Sequence, residues 1–252
     1  MTQEPEYRAL LAVDIEGSAG RGTVALLTIR ELLSTALRES LENSGIAWRA
    51  CRVQDLGDGF RVTAPPRVPK TRLIHPLVPD LAARLIAHNR LAGPLTRVRV
   101  RMALHAGDVC LGPVDEVAGR PLETLARMLD AAELRTALAQ APGTVPLALL
   151  LSRHFHEETV HPGQLGIDPD TFRKVGFTVK EHTADAWLHV PGGTALPPAT
   201  SPDEAPHDDT DRRTADPDPA SAPSKMVNKA SGNGVIYATQ HGNQHIRIVG
   251  QK

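Results

Sequence analysis

Asp14 closes an apolar run, Leu10 to Val13, and is followed by Ile15-Glu16-Gly17-Ser18-Ala19-Gly20-Arg21-Gly22-Thr23. An amphipathic pattern then runs from Val24 to Leu41. That order describes a strand, a carboxylate at its end, a glycine-rich turn and a helix. Such a turn aims backbone N–H groups and a helix N-terminus at whatever lies beside the carboxylate, which suits phosphate. Asp14 is then placed where a divalent cation bridging phosphate oxygens would sit. The same letters also describe a plain strand-to-helix turn with a capping acid. Gly17 to Gly22 has the glycine spacing of a P-loop, but Thr23 and Val24 stand where a lysine and a hydroxyl residue are needed, which argues against a Walker-type NTPase. His154, His156 and His161 lack a partner pair to complete a zinc site and read as exposed loop histidines.

The elements that must position Asp14 follow from periodicity. Arg8 to Val13 reads as a buried strand. Val24, Leu27, Leu32, Leu33, Ala36, Leu37 and Leu41 recur at helical spacing, with Gly45 as the helix cap. Trp48 to Val53 and Phe60 to Thr63 flank Gln54-Asp55-Leu56-Gly57-Asp58-Gly59, a hairpin around an Asp-Gly turn. A proline-punctuated loop leads to a second helix through Leu81, Leu85 and Ile86. Arg97 to Gly107 alternates basic and apolar residues as a strand with one wet face, and Val109 to Val114 is its expected hairpin partner. Gly119-Arg120-Pro121 opens a third helix with a stripe of Leu122, Leu125, Leu129 and Ala132. Val145 to Leu151 is a further strand, and Phe172 to Lys180 with Ala186 to Val190 makes a closing hairpin. Strand–helix–strand pieces mixed with hairpins predict an α+β sandwich of the ferredoxin-like kind.

The 252-residue chain is 41% hydrophobic, enough for a real core, and its formal charge of −1 gives no electrostatic case for nucleic acid. Cys51 and Cys110 match no metal or redox spacing and read as small buried hydrophobes in a reducing cytosol. There is no signal-peptide pattern and no run of membrane-spanning length, so a cytoplasmic protein without membrane partners is expected. Residues 191–225 hold eight prolines, seven acids and one large apolar residue, Leu196, which reads as a disordered linker. Residues 226–252 are β-prone and rich in Gly, Asn and Gln.

Asp14 in its V-D-I-x-G setting and Gly57-Asp58-Gly59-Phe60 in a hairpin turn resemble the catalytic domain of class III nucleotidyl cyclases, across residues 7–190. Val100 to Val109 resembles that family's strand before its nucleotide-recognition hairpin, and Gly119 to Leu129 its helix carrying a transition-state arginine. The resemblance implies the class III cyclase fold and formation of a 3′,5′-cyclic nucleotide from a nucleoside triphosphate. It implies two Mg²⁺ or Mn²⁺ ions per site on Asp14 and Asp58, phosphates held by the backbone from Ile15 through Gly17, Ser18 and Gly20 to Thr23, Arg127 as the charge-stabilising arginine, and a homodimer that completes the site. The sequence departs from the pattern at four places. Gln54 stands for a base-reading lysine, Glu116 for its partner, Glu123 for the ribose-orienting asparagine, and His182, with Lys180 nearby, for a phosphate-binding lysine. These departures leave a second reading open, a catalytically reduced nucleotide-binding signalling module. Residues 231–248, with Thr239-Gln240-His241-Gly242, resemble bacterial amyloid-signalling sequences related to RIP homotypic interaction motifs. Stacked copies would form Asn and Gln ladders and give a route to self-assembly or to a protein partner.

Overall fold

The computed structural model describes residues 4–113, 116–163, 165–179 and 182–192. The proline-rich linker beyond Gly192 and the β-prone segment lie outside the described residues. The chain runs β1 (Glu6–Ile15), α1 (Thr23–Asn43), β2 (Arg52–Asp55), β3 (Gly59–Thr63), α2 (Leu77–Asn89), β4 (Val100–Leu111), β5 (Val117–Ala118), α3 (Arg120–Leu129), α4 (Ala132–Gln140), β6 (Leu147–Ser152), α5 (Arg153–Thr159), β7 (Arg173–Val179) and β8 (His182–His189). The sheet order is β2-β3-β1-β4-β6-β8-β7, with β5 paired to β4. The β4–β6 pair is parallel and the others are antiparallel.

β1 sits between β3 and β4, which explains its unbroken apolar run: a strand covered on both faces has no wet side to alternate with. Its odd-numbered side chains Leu11, Val13 and Ile15 pack with α1 and α2, while Leu10 and Ala12 pack with α3 and α4 on the other face. Helices therefore cover both faces, and the sandwich has three layers over its middle strands. α1 anchors the first layer through Ile29, Leu33, Leu37 and Leu41, all fully buried at a spacing of four, each stabilising by roughly 1.5–3 kcal/mol.

Several boundaries differ from the sequence expectation. Val24 and Leu27 are exposed, at 81% and 57%, because the first turns of α1 overhang the sheet and its buried stripe starts at Ile29. Trp48 to Ala50 form a 3₁₀ turn, so β2 is shorter than the apolar run suggested. β4 does not turn at Gly107; it continues to Leu111 because β1 starts early enough to pair Glu6 with Val109. Its hairpin partner is β5, entered after Gly112 donates to the Glu116 carbonyl at 2.8 Å. Ala132 is exposed and Ala131 buried, because the extended backbone at Ala131 breaks α3 from α4. α4 and the seven-residue α5, capped by the Ser152 hydroxyl accepting from Phe155 N, carry too short a pattern to be seen in advance.

Candidate functional site

Asp14 lies one residue from the end of β1, opposite Gly59 of β3 on one side and Arg101 of β4 on the other. Asp58 immediately precedes β3, and its carbonyl accepts from Ile15 N at 3.0 Å. The two acids are thus neighbours, at one edge of the sheet face that carries α3. Gly59 is what permits this: a Cβ there would stand 2.0 Å from the Val13 carbonyl oxygen and 2.7 Å from Asp14 Cα. The turn is held from outside as well. Arg30 of α1 pairs with Asp55 at 2.6 Å, and Asp55 accepts from Gly57 N at 2.7 Å, with Gly57 at φ 96°. On the inner side the Ser18 hydroxyl donates to Asp58 Oδ2 at 2.7 Å, tying the glycine-rich turn to the hairpin.

The glycine-rich turn has fewer uncommitted amides than the span Ile15 to Thr23 suggests. Ile15 N is spent on Asp58 and Glu16 N donates to Arg99 O at 2.8 Å, so neither is free for a phosphate. From Gly17 to Gly22 the chain turns through three left-handed glycines, Gly17, Gly20 and Gly22, and leads into α1 with no side chain capping the helix. Arg21, which sequence reasoning missed, holds this loop from behind. Its guanidinium donates to the Gly17 carbonyl at 2.7 Å, the Glu16 carbonyl at 2.6 Å and the Arg97 carbonyl. Carbonyls from the start of the loop and from Arg97 are thereby gathered on one guanidinium.

Arg101 is the second missed residue. It grips both oxygens of Asp14, Nε to Oδ1 at 2.9 Å and Nη2 to Oδ2 at 2.6 Å. The alternating Arg97, Arg99 and Arg101 run was the signal, since cross-strand pairing puts position 101 beside position 14. Burial outweighs this partner and lifts the Asp14 carboxyl to about 6, with the negative charges of Asp58 and Asp130 adding to the rise. Two hard-oxygen carboxylates that repel one another suit a divalent cation such as Mg²⁺ or Mn²⁺, so the donor set fits the group the resemblance implies.

The folded state holds the Asp14 proton more tightly than the unfolded chain, whose carboxyl titrates near 3.9. Asp14 therefore favours folding below about pH 4, and that contribution, about 3 kcal/mol, is lost as pH rises through 6. Metal-free protein is expected to lose stability relative to Asp14→Asn between pH 4 and 6, while Mn²⁺ affinity rises over the same range. Denaturant titrations and calorimetry at stepped pH check both.

The remaining candidates are dispersed. Gln54 accepts from Arg61, its cross-strand neighbour, and is exposed. Glu116 sits in the β4–β5 turn, which Arg52 of β2 holds by donating to the Gly112 carbonyl at 2.8 Å. Glu123 and Arg127 form an i,i+4 ion pair at 3.8 Å on the exposed side of α3. Lys180 is outside the described residues, and His182 begins β8. His154 and His156 are on α5 rather than in a loop, and His156 is buried, stacked on Trp187 with ring centroids 4.4 Å apart. Burial holds its imidazole below the ordinary range. Cys51 is buried as expected and Cys110 only half-buried. Among the described residues no helix is long and apolar enough to cross a membrane.

No protein-family model matches the sequence, and no curated protein matches it. Solved structures do. The guanylyl cyclase Cya2 superposes with a TM-score of 0.53 at 14% identity, over 78% of this chain and 98% of that one. An adenylate/guanylate cyclase/hydrolase from Silicibacter pomeroyi gives 0.54 at 16%, over 75% and 99%. A bacterial light-regulated adenylyl cyclase gives 0.53 at 16%, over 75% of this chain and 54% of that one. The fold that carries Asp14 and Asp58 is that of the class III adenylyl and guanylyl cyclase domains.

Proposed function

We propose that residues 7–190 form a nucleoside-triphosphate site that makes a 3′,5′-cyclic nucleotide. The observation that carries this reading is the convergence of Asp14 and Asp58 beside the Gly17–Gly22 cradle, with Arg101 already in place. Cations held by the two carboxylates would supply Lewis-acid activation of the ribose 3′-hydroxyl and charge neutralisation for the triphosphate. The chain's own residues do the rest. Cradle amides hold phosphate oxygens, and Ser18 keeps Asp58 in position. Arg101, paired with Asp14 in the metal-free protein, would be free to meet the phosphates where a cation held the carboxylate instead. The 3′-hydroxyl gives its proton to solvent water, and its oxygen bonds to the α-phosphorus as the bond to pyrophosphate breaks. Arg127, on the exposed side of α3, is available to the site of a second copy, where it would stabilise the charge that develops.

A second reading has its own support. Glu123 is engaged with Arg127, and Gln54 with Arg61, so the groups standing at the ribose and base positions are used inside the chain. Loss of one oriented donor costs about 10²–10³ in rate, which favours a module that binds nucleotide without turnover and assembles through residues 231–248. Incubation with each of the four triphosphates and Mn²⁺ separates the two readings. Cyclic product and pyrophosphate support the enzyme; saturable Mn²⁺-dependent binding without product supports the module; neither binding nor product removes both. Deleting residues 226–252 is expected to abolish self-association under the second reading and to leave nucleotide binding intact under either.

A further inference from the structure

A cavity of about 350 Å³ opens where the C-terminal end of α2, the entry to β6 and the residues after β8 meet. Ile86, Val145, Pro146 and Pro191 give it apolar walls, and Arg90 and Arg97 line the same space. Both arginines are exposed, and neither guanidinium has a hydrogen-bond or ion-pair partner among the described residues. The nearby amide is not free to serve a ligand: Asn89 donates to the Val98 carbonyl at 2.7 Å and accepts from Val98 N at 2.8 Å. The volume falls at the small end of ligand pockets, roughly 300–1,000 Å³. Two unspent planar forks beside an apolar wall suit one anionic head on a compact apolar body, since a fork binds carboxylate or phosphate through paired N–H groups.

Two walls of this cavity are tied to the phosphate cradle. The Arg97 carbonyl accepts from Arg21, which also holds the Glu16 and Gly17 carbonyls. The Val145 carbonyl accepts from Arg99 Nε at 3.0 Å, and Arg99 Nη1 pairs with the Glu16 carboxylate at 3.0 Å. The wall carbonyls of Arg97 and Val145 are thus each bonded to an arginine, Arg21 and Arg99, that also holds Glu16, the residue immediately before the Gly17–Gly22 turn.

We propose that this cavity is a regulatory site for a small amphipathic anion, an apolar body with a carboxylate or phosphate head, whose binding orders the Gly17–Gly22 turn through Arg21 and Arg99. The ligand contacts are independent of the nucleotide reading, so the test uses no nucleotide. Full-length protein is titrated calorimetrically with phenyl phosphate and with benzoate, and with inorganic phosphate as the head alone. Saturable millimolar or tighter binding is expected for at least one aryl probe, at least tenfold tighter than for inorganic phosphate. The affinity should fall tenfold or more in Arg90→Ala/Arg97→Ala, whose fold is checked by circular dichroism, and stay unchanged in Asp58→Asn. Hydrogen exchange at Gly17–Gly22 should slow when the probe is bound. The proposal is overturned by no saturable binding, by equal affinity for inorganic phosphate, by binding that survives loss of both arginines or is lost in Asp58→Asn, or by unchanged exchange in the turn.

Discussion

Gly59→Ala is expected to destabilise the protein by about 3 kcal/mol or more, the upper range for an added methyl group that has nowhere to go. The new Cβ would meet the Val13 carbonyl oxygen at 2.0 Å and Asp14 Cα at 2.7 Å, both of them backbone. β1 cannot yield, because β4 holds it along its whole length on the other side. For a domain of this size the loss amounts to roughly 6–12 °C in thermal midpoint, at about 2–4 °C per kcal/mol. Gly57→Ala is the matched control. Its Cβ meets nothing within 4 Å, and only the left-handed backbone is strained, a cost of about 1–3 kcal/mol. Thermal melts of the two variants check the comparison. A Gly59→Ala protein no less stable than Gly57→Ala would mean that β3 does not approach β1 as closely as described, and the two acids would no longer be held together.

Asp58→Asn should leave the fold intact and lower Mn²⁺-dependent nucleotide affinity by 100-fold or more. Its side chain makes one described hydrogen bond, from the Ser18 hydroxyl, and an amide oxygen accepts that bond equally well. What the substitution removes is charge, one of two carboxylates available to a cation. A 100-fold loss corresponds to about 2.7 kcal/mol, a modest demand for a directly bound anionic ligand. Asp14→Asn is a poorer probe of function. It strands the half-buried Arg101 guanidinium, and breaking a buried pair costs about 3–5 kcal/mol on its own. Calorimetric titration of each triphosphate with Mn²⁺ into Asp58→Asn checks the expectation, with the thermal midpoint measured alongside to show that the fold is retained.

The parts of the fold legible in the sequence were those with long periodic patterns. β1 announced itself through the apolar run Leu10 to Val13, α1 through Leu33, Leu37 and Leu41 at a spacing of four, without Ile29, where the buried stripe begins, and the β2–β3 turn through Gly57-Asp58-Gly59. Short elements were not legible, because seven or nine residues, as in α5 and α4, carry too few turns to establish a period. Exposure at a helix end was hidden too: Val24 and Leu27 fit the stripe, and only the length of the sheet beneath decides that they overhang it. The site divides the same way. The acids Asp14 and Asp58 stood out by type and setting. Arg101 and Arg21 did not: the alternating Arg97, Arg99 and Arg101 run marks a strand with a basic face, but which acid Arg101 meets depends on cross-strand register, and the role of Arg21 depends on where a loop folds back. Cross-strand pairing likewise consumed Gln54, whose partner Arg61 lies seven residues away in sequence and directly opposite in the hairpin.

A crystal structure of the protein with Mn²⁺ and a non-hydrolysable triphosphate, read by anomalous scattering, bears most directly on the site. The expected result is a manganese peak bounded by the carboxylates of Asp14 and Asp58, phosphates on the Gly17–Gly22 amides, and Arg101 turned away from Asp14. An intact Arg101–Asp14 pair with no peak beside it, and nucleotide absent or bound elsewhere, would contradict the assignment of these two acids as the nucleotide site.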